Sequence, residues 1–309
     1  SGFVMTYSYE ARIKNGESFK DFSFARFSRL YPVYLLCLLI GAANMAYGIT
    51  KLNLWHNAGG QFFGGLGLNL FILPSFATAK LVAGGPLFPF GLQAWAVFWE
   101  FVVSFAFYFW IRMGAKFSYI LWAIFAIALF ISTQGLTRVV GGWDSWGFVQ
   151  GGLRAFVGLF GGYISAKTIK TWYDGKYALP LFTIAWALIG LSFWHIFISV
   201  PDNIYLEYFM IYLGFPLLVG TICHSKTPIL NNPIASTLGK ISYSLYLVHM
   251  FMLSFGVKTL RALHIKASLG TGIIWMTAVL IIAYIFWRFV EIPARNTLVS
   301  LYKGKSVKT

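Results

Sequence analysis

Long runs of apolar residues, separated by short polar segments, dominate the chain. Eight of these runs have roughly 16 to 21 residues, close to the roughly 20 that an α-helix needs to cross the hydrocarbon core of a bilayer. They lie at about residues 31–49, 95–111, 117–132, 147–166, 178–198, 204–222, 242–260 and 268–287. Because they are too long and too continuous for the alternating pattern of a membrane β-barrel, they predict an all-α polytopic bundle with about eight crossings.

A ninth apolar stretch, Phe62 to Phe76, is shorter, rich in glycine and broken by Pro74. It suits a short re-entrant or interfacial helix better than a crossing. If it does not cross, the basic segment from Arg12 to Arg29, most later basic residues and the C-terminus all fall on the cytoplasmic side. If it crosses, every later loop is inverted and most of the positive charge lies outside. The positive-inside rule therefore favours the short helix.

Composition points to the membrane as well. The chain is 58% hydrophobic and only 11% charged, whereas soluble domains carry about 25% charged residues. Its net charge of +15 would suggest nucleic acid on a hydrophilic chain, but with a mean hydropathy of +0.71 it fits membrane lipids, and no nucleic-acid partner is expected. Cys37 and Cys223 lie inside apolar runs, which indicates packing rather than a disulfide or a metal site.

Glu100, His195 and His249 are ionisable side chains that stand inside apolar runs. Such residues are costly in a bilayer and mark pathways, partners or catalytic sites. For Glu100, an interhelical bond that only holds the bundle together is an equally good interpretation. His195 follows Trp194 near a helix end, which favours a structural role. His249 lies about seven residues into its run, or about 10 Å, where a neutral imidazole can accept or relay a proton.

Arg26 and Arg29 lie three residues apart near the cytoplasmic start of the first run. Two guanidiniums on one helix face can bind a phosphate, whereas the plainer interpretation is anchoring to lipid headgroups. The glycine-rich segment 150–162 lacks the Lys-Ser/Thr ending of a phosphate loop. We expect its glycines to allow close helix packing.

Six segments in chain order resemble motifs of the acyltransferase family 3 membrane proteins, which include O-acetyltransferases of bacterial surface polysaccharides. They are Ser1-Gly2-Phe3, Arg26-Phe-Ser-Arg29-Leu-Tyr-Pro, Trp95 to Glu100, Arg154 to Gly162, Leu238 to His249, and Arg288 to Arg295. The third departs from the usual residues at Ala96, Phe98 and Trp99. The match runs through most of the chain, and the six motifs keep the family's order.

The resemblance implies an integral protein of the bacterial inner membrane, with about ten crossings in the whole family. It also implies an acyl-CoA donor such as acetyl-CoA, taken from the cytoplasm, and a hydroxyl of a glycan or lipid-linked sugar as acceptor. No permanently bound cofactor and no metal are expected. The family's Arg-His or Lys-His element precedes the Ser-Gly-Phe motif and is absent from this sequence. We therefore expect residues 1–309 to form a single, N-terminally incomplete acyltransferase domain.

The matched motifs imply roles for particular residues. Arg26 and Arg29 would bind the donor, and Glu100 and His249 would be catalytic. Supporting roles fall on Trp95, Arg154, Ser242, Tyr243, Tyr246, Glu291 and Arg295. The spacing of Ser242, Tyr246 and His249 places them on one helix face. Two alternatives stay open: a proton-coupled transporter or flippase that uses Glu100 and His249, which composition alone supports, and an inactive fragment.

Overall fold

The computed structural model describes residues 1–76, 85–136, 138–139, 141–173, 183–184, 187–188, 190–191, 203–224, 232–266 and 268–306. These residues are mostly helical and form no β-strand beyond an isolated bridge between Pro86 and Asp144. The helices are α1 (Gly2–Lys14), α2 (Phe19–Lys51), α3 (Trp55–Leu70), α4 (Ala94–Trp110), α5 (Ala115–Ser132), α6 (Phe148–Tyr173), α7 (Ile204–Phe209), α8 (Phe215–His224), α9 (Pro233–Ala262), α10 (Leu269–Phe286) and α11 (Ile292–Ser306). Two π-helical turns, Met210–Gly214 and Trp287–Glu291, join α7 to α8 and α10 to α11. The all-α prediction is confirmed for this part of the chain.

Among the described residues, three continuous helical stretches are long and apolar enough to cross a membrane: Phe19–Lys51, Ile204–Cys223 and Leu269–Tyr302. Helices α4 and α5 are apolar but shorter. The count of eight crossings therefore stays a prediction. Most of the predicted run at 178–198, including His195, lies outside the described residues.

The short helix that was predicted at Phe62 to Phe76 is α3, and its bounds differ from the prediction. It begins at Trp55, earlier than predicted. The polar residues of its first turns interrupt the apolar pattern, so the pattern places the start of the helix too late. It ends at Leu70, where the Asn69 amide donates to the carbonyl of Leu73 and Ile72 takes a φ of 60°.

The chain divides into two compact units. Unit 1 consists of Ser1–Phe22, Trp99–Gly142 and Trp146–Pro228, and unit 2 of Ser23–Phe98, Trp143–Ser145 and Ile229–Thr309.

Helix α6 is the centre of unit 1 and packs against α1, α5 and α8. It crosses α1 so closely that a Cβ at Gly2 would overlap the carbonyl oxygen of Leu159, and one at Gly162 would lie 2.6 Å from the Phe3 nitrogen. At Gly152 an added Cβ would overlap the indole of Trp99. The glycines of segment 150–162 thus allow close helix packing, as the sequence indicates.

In unit 2, α2 holds α3 and the segment that precedes α4. Tyr31 and Tyr34 donate hydrogen bonds to the carbonyls of Leu70 and Asn69, which fixes the end of α3 against α2. At Gly41 the backbone of Phe90 approaches so closely that a Cβ would overlap its carbonyl oxygen. Helix α9 packs against α10, whose amino end is capped by the Ser268 hydroxyl.

Candidate functional site

A buried carboxylate, Glu291, lies in a charged cluster of unit 2. The π-helical turn Trp287–Glu291 carries it, and the hydroxyl of Ser244 in α9 donates to its Oε2 over 3.0 Å. Arg29 and Arg295 lie close enough to interact with it electrostatically. Because two guanidiniums face one carboxylate, these three side chains keep a net positive charge that attracts an anion.

Arg26 and Arg29 are not equivalent, although they lie one turn apart in α2. The Arg26 side chain is buried and interacts with other groups of the chain. Arg29 is half-buried and is the arginine near Glu291. Arg29 is therefore the better placed of the two to meet a ligand.

Gln93 lies in the segment before α4 and links that segment to α9, about one helical turn beyond the charged cluster. Its backbone carbonyl accepts a hydrogen bond of 3.4 Å from the Tyr246 hydroxyl, and its side-chain amide donates to the carbonyl of Leu247. Near the charged cluster, Tyr243 donates to the carbonyl of Leu30 in α2. These bonds fix the face of α9 that follows the cluster.

His249 comes next along α9, and its hydrogen bond selects one tautomer. Its Nδ1 lies 2.5 Å from the carbonyl oxygen of Tyr246, and the two rings are 5.6 Å apart. A carbonyl only accepts hydrogen bonds, so Nδ1 carries the proton. In the neutral ring Nε2 is then an acceptor, which is the form that a general base requires.

A cavity of about 640 Å³ lies beyond His249 in unit 2. The last turns of α2, the start of α3, segment 89–93 and residues 250–254 of α9 line it. Its polar lining is made of carboxamides and a hydroxyl: Asn44, Asn57, Gln61, Gln93 and Ser254. Its volume falls in the range of about 300–1,000 Å³ that small-molecule sites occupy.

Glu100 and Arg154, also predicted as site residues, lie in unit 1. Glu100 accepts a hydrogen bond from the Ser1 hydroxyl. The guanidinium of Arg154 donates to the carbonyls of Val139 and Gly141, over 2.7 Å each. Arg154 thus supports the segment between α5 and α6.

Two supporting residues of unit 2 show little connection to the cluster or the cavity. Ser242 is exposed, and its hydroxyl donates to the carbonyl of Gly239 in its own helix. Trp95 lies in the first turn of α4, half-buried, and interacts within the chain. Their roles stay predictions.

The structure adds polar residues that the sequence analysis does not single out. Ser244, rather than Ser242, contacts Glu291, and it is fully buried. The carboxamides of the cavity come from three separate segments, so no single motif reveals them. The available signal is the occurrence of Asn44 and Gln93 at the margins of otherwise apolar runs.

Comparisons with known proteins identify one family. The sequence model of acyltransferase family 3, described as an acyltransferase domain, matches residues 1–288. Searches of the curated proteins and of the solved structures give no match.

Proposed function

Because this chain belongs to acyltransferase family 3, we propose that it transfers an acyl group, in the first instance acetyl, from acyl-CoA to a hydroxyl of a carbohydrate or glycolipid. Family membership supports acyl transfer in general. Together with the three long apolar stretches, it indicates an integral membrane protein. The donor, the acceptor and the bacterial inner membrane as location are parts of the proposal.

The charged cluster supports an anionic donor. Arg29 and Arg295 leave positive charge beside Glu291, and Arg26 lies one turn away in α2. The phosphates of CoA are suitable ligands for a planar guanidinium, which can donate two hydrogen bonds at once. In the proposal the donor binds at this end of α9, and the membrane lipids surround the apolar helices.

The contact between His249 Nδ1 and the Tyr246 carbonyl oxygen is the observation that carries the proposed chemistry. Its Nδ1–H is engaged by the Tyr246 carbonyl, so Nε2 is the nitrogen that can take a proton from an acceptor hydroxyl. The hydroxyl oxygen then forms a bond to the thioester carbon, and the carbon–sulfur bond breaks. The proton passes from Nε2 to the departing thiolate, which leaves as CoA.

Glu100 has a different part in the proposal. Its carboxylate accepts a hydrogen bond from Ser1, and an ionised carboxylate of this kind orients a donor group. In the proposal it orients an imidazole or another hydrogen-bond donor within unit 1, without taking the transferred proton. Of the two assigned catalytic residues, only His249 acts as a base.

The proposal is tested with radiolabelled acetyl-CoA. Membranes of cells that express the full-length gene are expected to incorporate label covalently into glycan or glycolipid, and membranes of cells without it are not. His249→Asn should abolish the difference. The control His264→Asn should preserve it, since His264 has a φ of 54° that Asn tolerates well. Label that enters vesicles without covalent transfer would favour a transporter instead.

A further inference from the structure

We propose that the 640 Å³ cavity of unit 2 is the acceptor site and that it selects an uncharged sugar ring. The proposal rests on the proposed acyl transfer to carbohydrate and narrows the acceptor to glycans whose reacting residue is neutral.

The polar groups of the cavity match sugar hydroxyls. A carboxamide offers two donors and an acceptor, and a sugar hydroxyl also donates and accepts, so each can pair with the other in two directions. Four carboxamides, from Asn44, Asn57, Gln61 and Gln93, face this one space. Ser254 adds a hydroxyl from α9.

The cavity has no charge to compensate a charged sugar. Among the described residues that line it, none is ionisable, although the chain as a whole carries a net charge of +15. A uronate or phosphate group bound there would meet no cation among these residues to replace the hydration that it gives up on contact with the lining. The lining therefore favours neutral rings.

Three of the four carboxamides are available to a ligand. The side chains of Asn44, Asn57 and Gln61 make no hydrogen bond to any part of the chain that the structure describes. Gln93 is instead held in place by its bond to the Leu247 carbonyl. A fixed amide beside free ones gives a partly preorganised site, which lowers the entropy cost of binding.

Apolar walls complete the match. Phe90 is almost fully buried, and the ring of Phe251 lies close to Gly91. Sugars present C–H faces as well as hydroxyls, and such faces pack on aromatic and aliphatic side chains. A purely polar or purely apolar ligand would use only part of this lining.

The place of the cavity along α9 suits the reaction. His249 directly precedes the lining residues Met250 and Phe251, and Ser254 follows it by about 8 Å along the helix axis. On the other side of His249, Ser244 binds Glu291 in the charged cluster. The proposed base thus lies in α9 between the anion-attracting cluster and the cavity.

The test measures sugar binding to the full-length protein in detergent micelles by saturation-transfer NMR. The probes are methyl glucoside and methyl glucuronoside, which differ in the carboxylate. We expect the wild type to bind the glucoside at least about tenfold more tightly, and Asn57→Ala and Gln61→Ala each to weaken that binding about tenfold. Asn296→Ala, at an exposed amide of α11, is the matched control and should bind as the wild type does.

A variant that gains a new binding preference must be folded, so it shows that misfolding does not explain the losses of binding. Gln61→Lys places a cation in the cavity and should reverse the preference in favour of the glucuronoside. Equal binding of both probes by the wild type, or glucoside affinity that ignores Asn57 and Gln61, would overturn the proposal.

Acetyl transfer is assayed on the same preparations of the full-length protein. A failure of the cavity as acceptor site can then be distinguished from a failure of the proposed acyl transfer. Transfer to glycan without sugar binding in the cavity would overturn the cavity as acceptor site and leave the enzyme activity standing. Sugar binding that follows the cavity variants, without transfer, would support the cavity as a sugar site and overturn acyl transfer.

Discussion

At the scale of single residues, the imidazole of His249 is oriented by the hydrogen bond between its Nδ1 and a carbonyl of its own helix. His249→Asn keeps a donor for that carbonyl but has no group at the position of Nε2. We expect turnover to fall by about 10²–10⁴-fold, the usual contribution of a general base, with an unchanged melting temperature. Rates from single-turnover assays of the full-length enzyme check this. Wild-type rates in His249→Phe would instead indicate a packing role.

Arg29 tests whether the guanidinium shape matters at the charged cluster. Arg29→Lys keeps the positive charge near Glu291 but loses the planar fork, so we expect the KM for acetyl-CoA to rise about tenfold. Arg261→Lys, at the exposed end of α9, is the matched control. An unaltered KM in the Arg29 variant would argue for headgroup anchoring.

The sequence predicts that α9 carries hydrogen-bonding side chains, but it does not single out Ser244, and the role of Ser242 stays a prediction. Ser242 is assigned by its spacing from Tyr246 and His249, whereas Ser244 makes the contact with Glu291. Its partner sits in a π-helical turn, where the extra residue per turn rotates the side chains away from regular helical positions. Side-chain spacing in one helix cannot reveal a change of that kind in another.

At the scale of secondary-structure elements, the segment between α5 and α6 is held by two charged side chains. Glu207 of α7 accepts hydrogen bonds from the Val139 amide and the Arg138 guanidinium, while Arg154 of α6 binds the carbonyls of Val139 and Gly141. We expect Arg154→Ala to raise hydrogen exchange at residues 138–139 and 141–142 about tenfold, because two hydrogen bonds are lost. Arg138→Ala, which removes one exposed bond, should have a smaller effect, and equal exchange in the two variants would contradict this account.

Helix α1 is joined to α6 by an ion-pair cluster that responds to pH. Lys14 and Lys167 lie 2.7 and 2.6 Å from the carboxylate of Glu10. Burial alone would raise the pKa of Glu10, but the hydrogen bonds and charges of the two lysines outweigh it and lower the pKa below its ordinary 4.5.

A lowered pKa means that the folded protein binds the Glu10 proton more weakly than the unfolded chain. The stabilisation is complete above about pH 4.5 and is lost as the pH falls through the lower, folded-state pKa. Glu10→Gln should cost about 1–2 kcal/mol at pH 7, since both lysines are partly exposed, and should flatten the loss of stability in acid. Melting temperatures in detergent at pH 7 and below pH 4 measure both effects. Lys14→Gln, which leaves the ion pair between Glu10 and Lys167, should show roughly half the change in stability. A Glu10→Gln variant that is as acid-sensitive as the wild type would show that Glu10 does not cause the loss of stability in acid.

At the scale of the whole molecule, the positions of the helices along the chain are easier to predict than the compact unit to which each residue belongs. The run predicted at 95–111 coincides with α4, Ala94–Trp110, because Arg112 marks its polar limit. The same helix carries Trp95 and Glu100 in one motif, yet they belong to different units. Five residues of an α-helix turn the side chain by about 140°, so neighbours in a motif face different surroundings. Likewise, the cavity collects residues whose proximity only the packed chain reveals.

The direction of the later loops depends on whether the short helix α3 crosses the membrane. If it does not, Lys51 and Arg261 lie on one side of the membrane and Lys116 and Lys240 on the other, which is the arrangement that the positive-inside rule favours. The test introduces single cysteines at these positions after Cys37 and Cys223 are replaced by Ala. In intact cells, a membrane-impermeant maleimide is expected to label Lys51→Cys and Arg261→Cys, whereas Lys116→Cys and Lys240→Cys should react only after permeabilisation. Labelling of Lys116→Cys in intact cells, with Lys51→Cys also labelled, would mean that the segment between them does not return the chain to the cytoplasm as predicted.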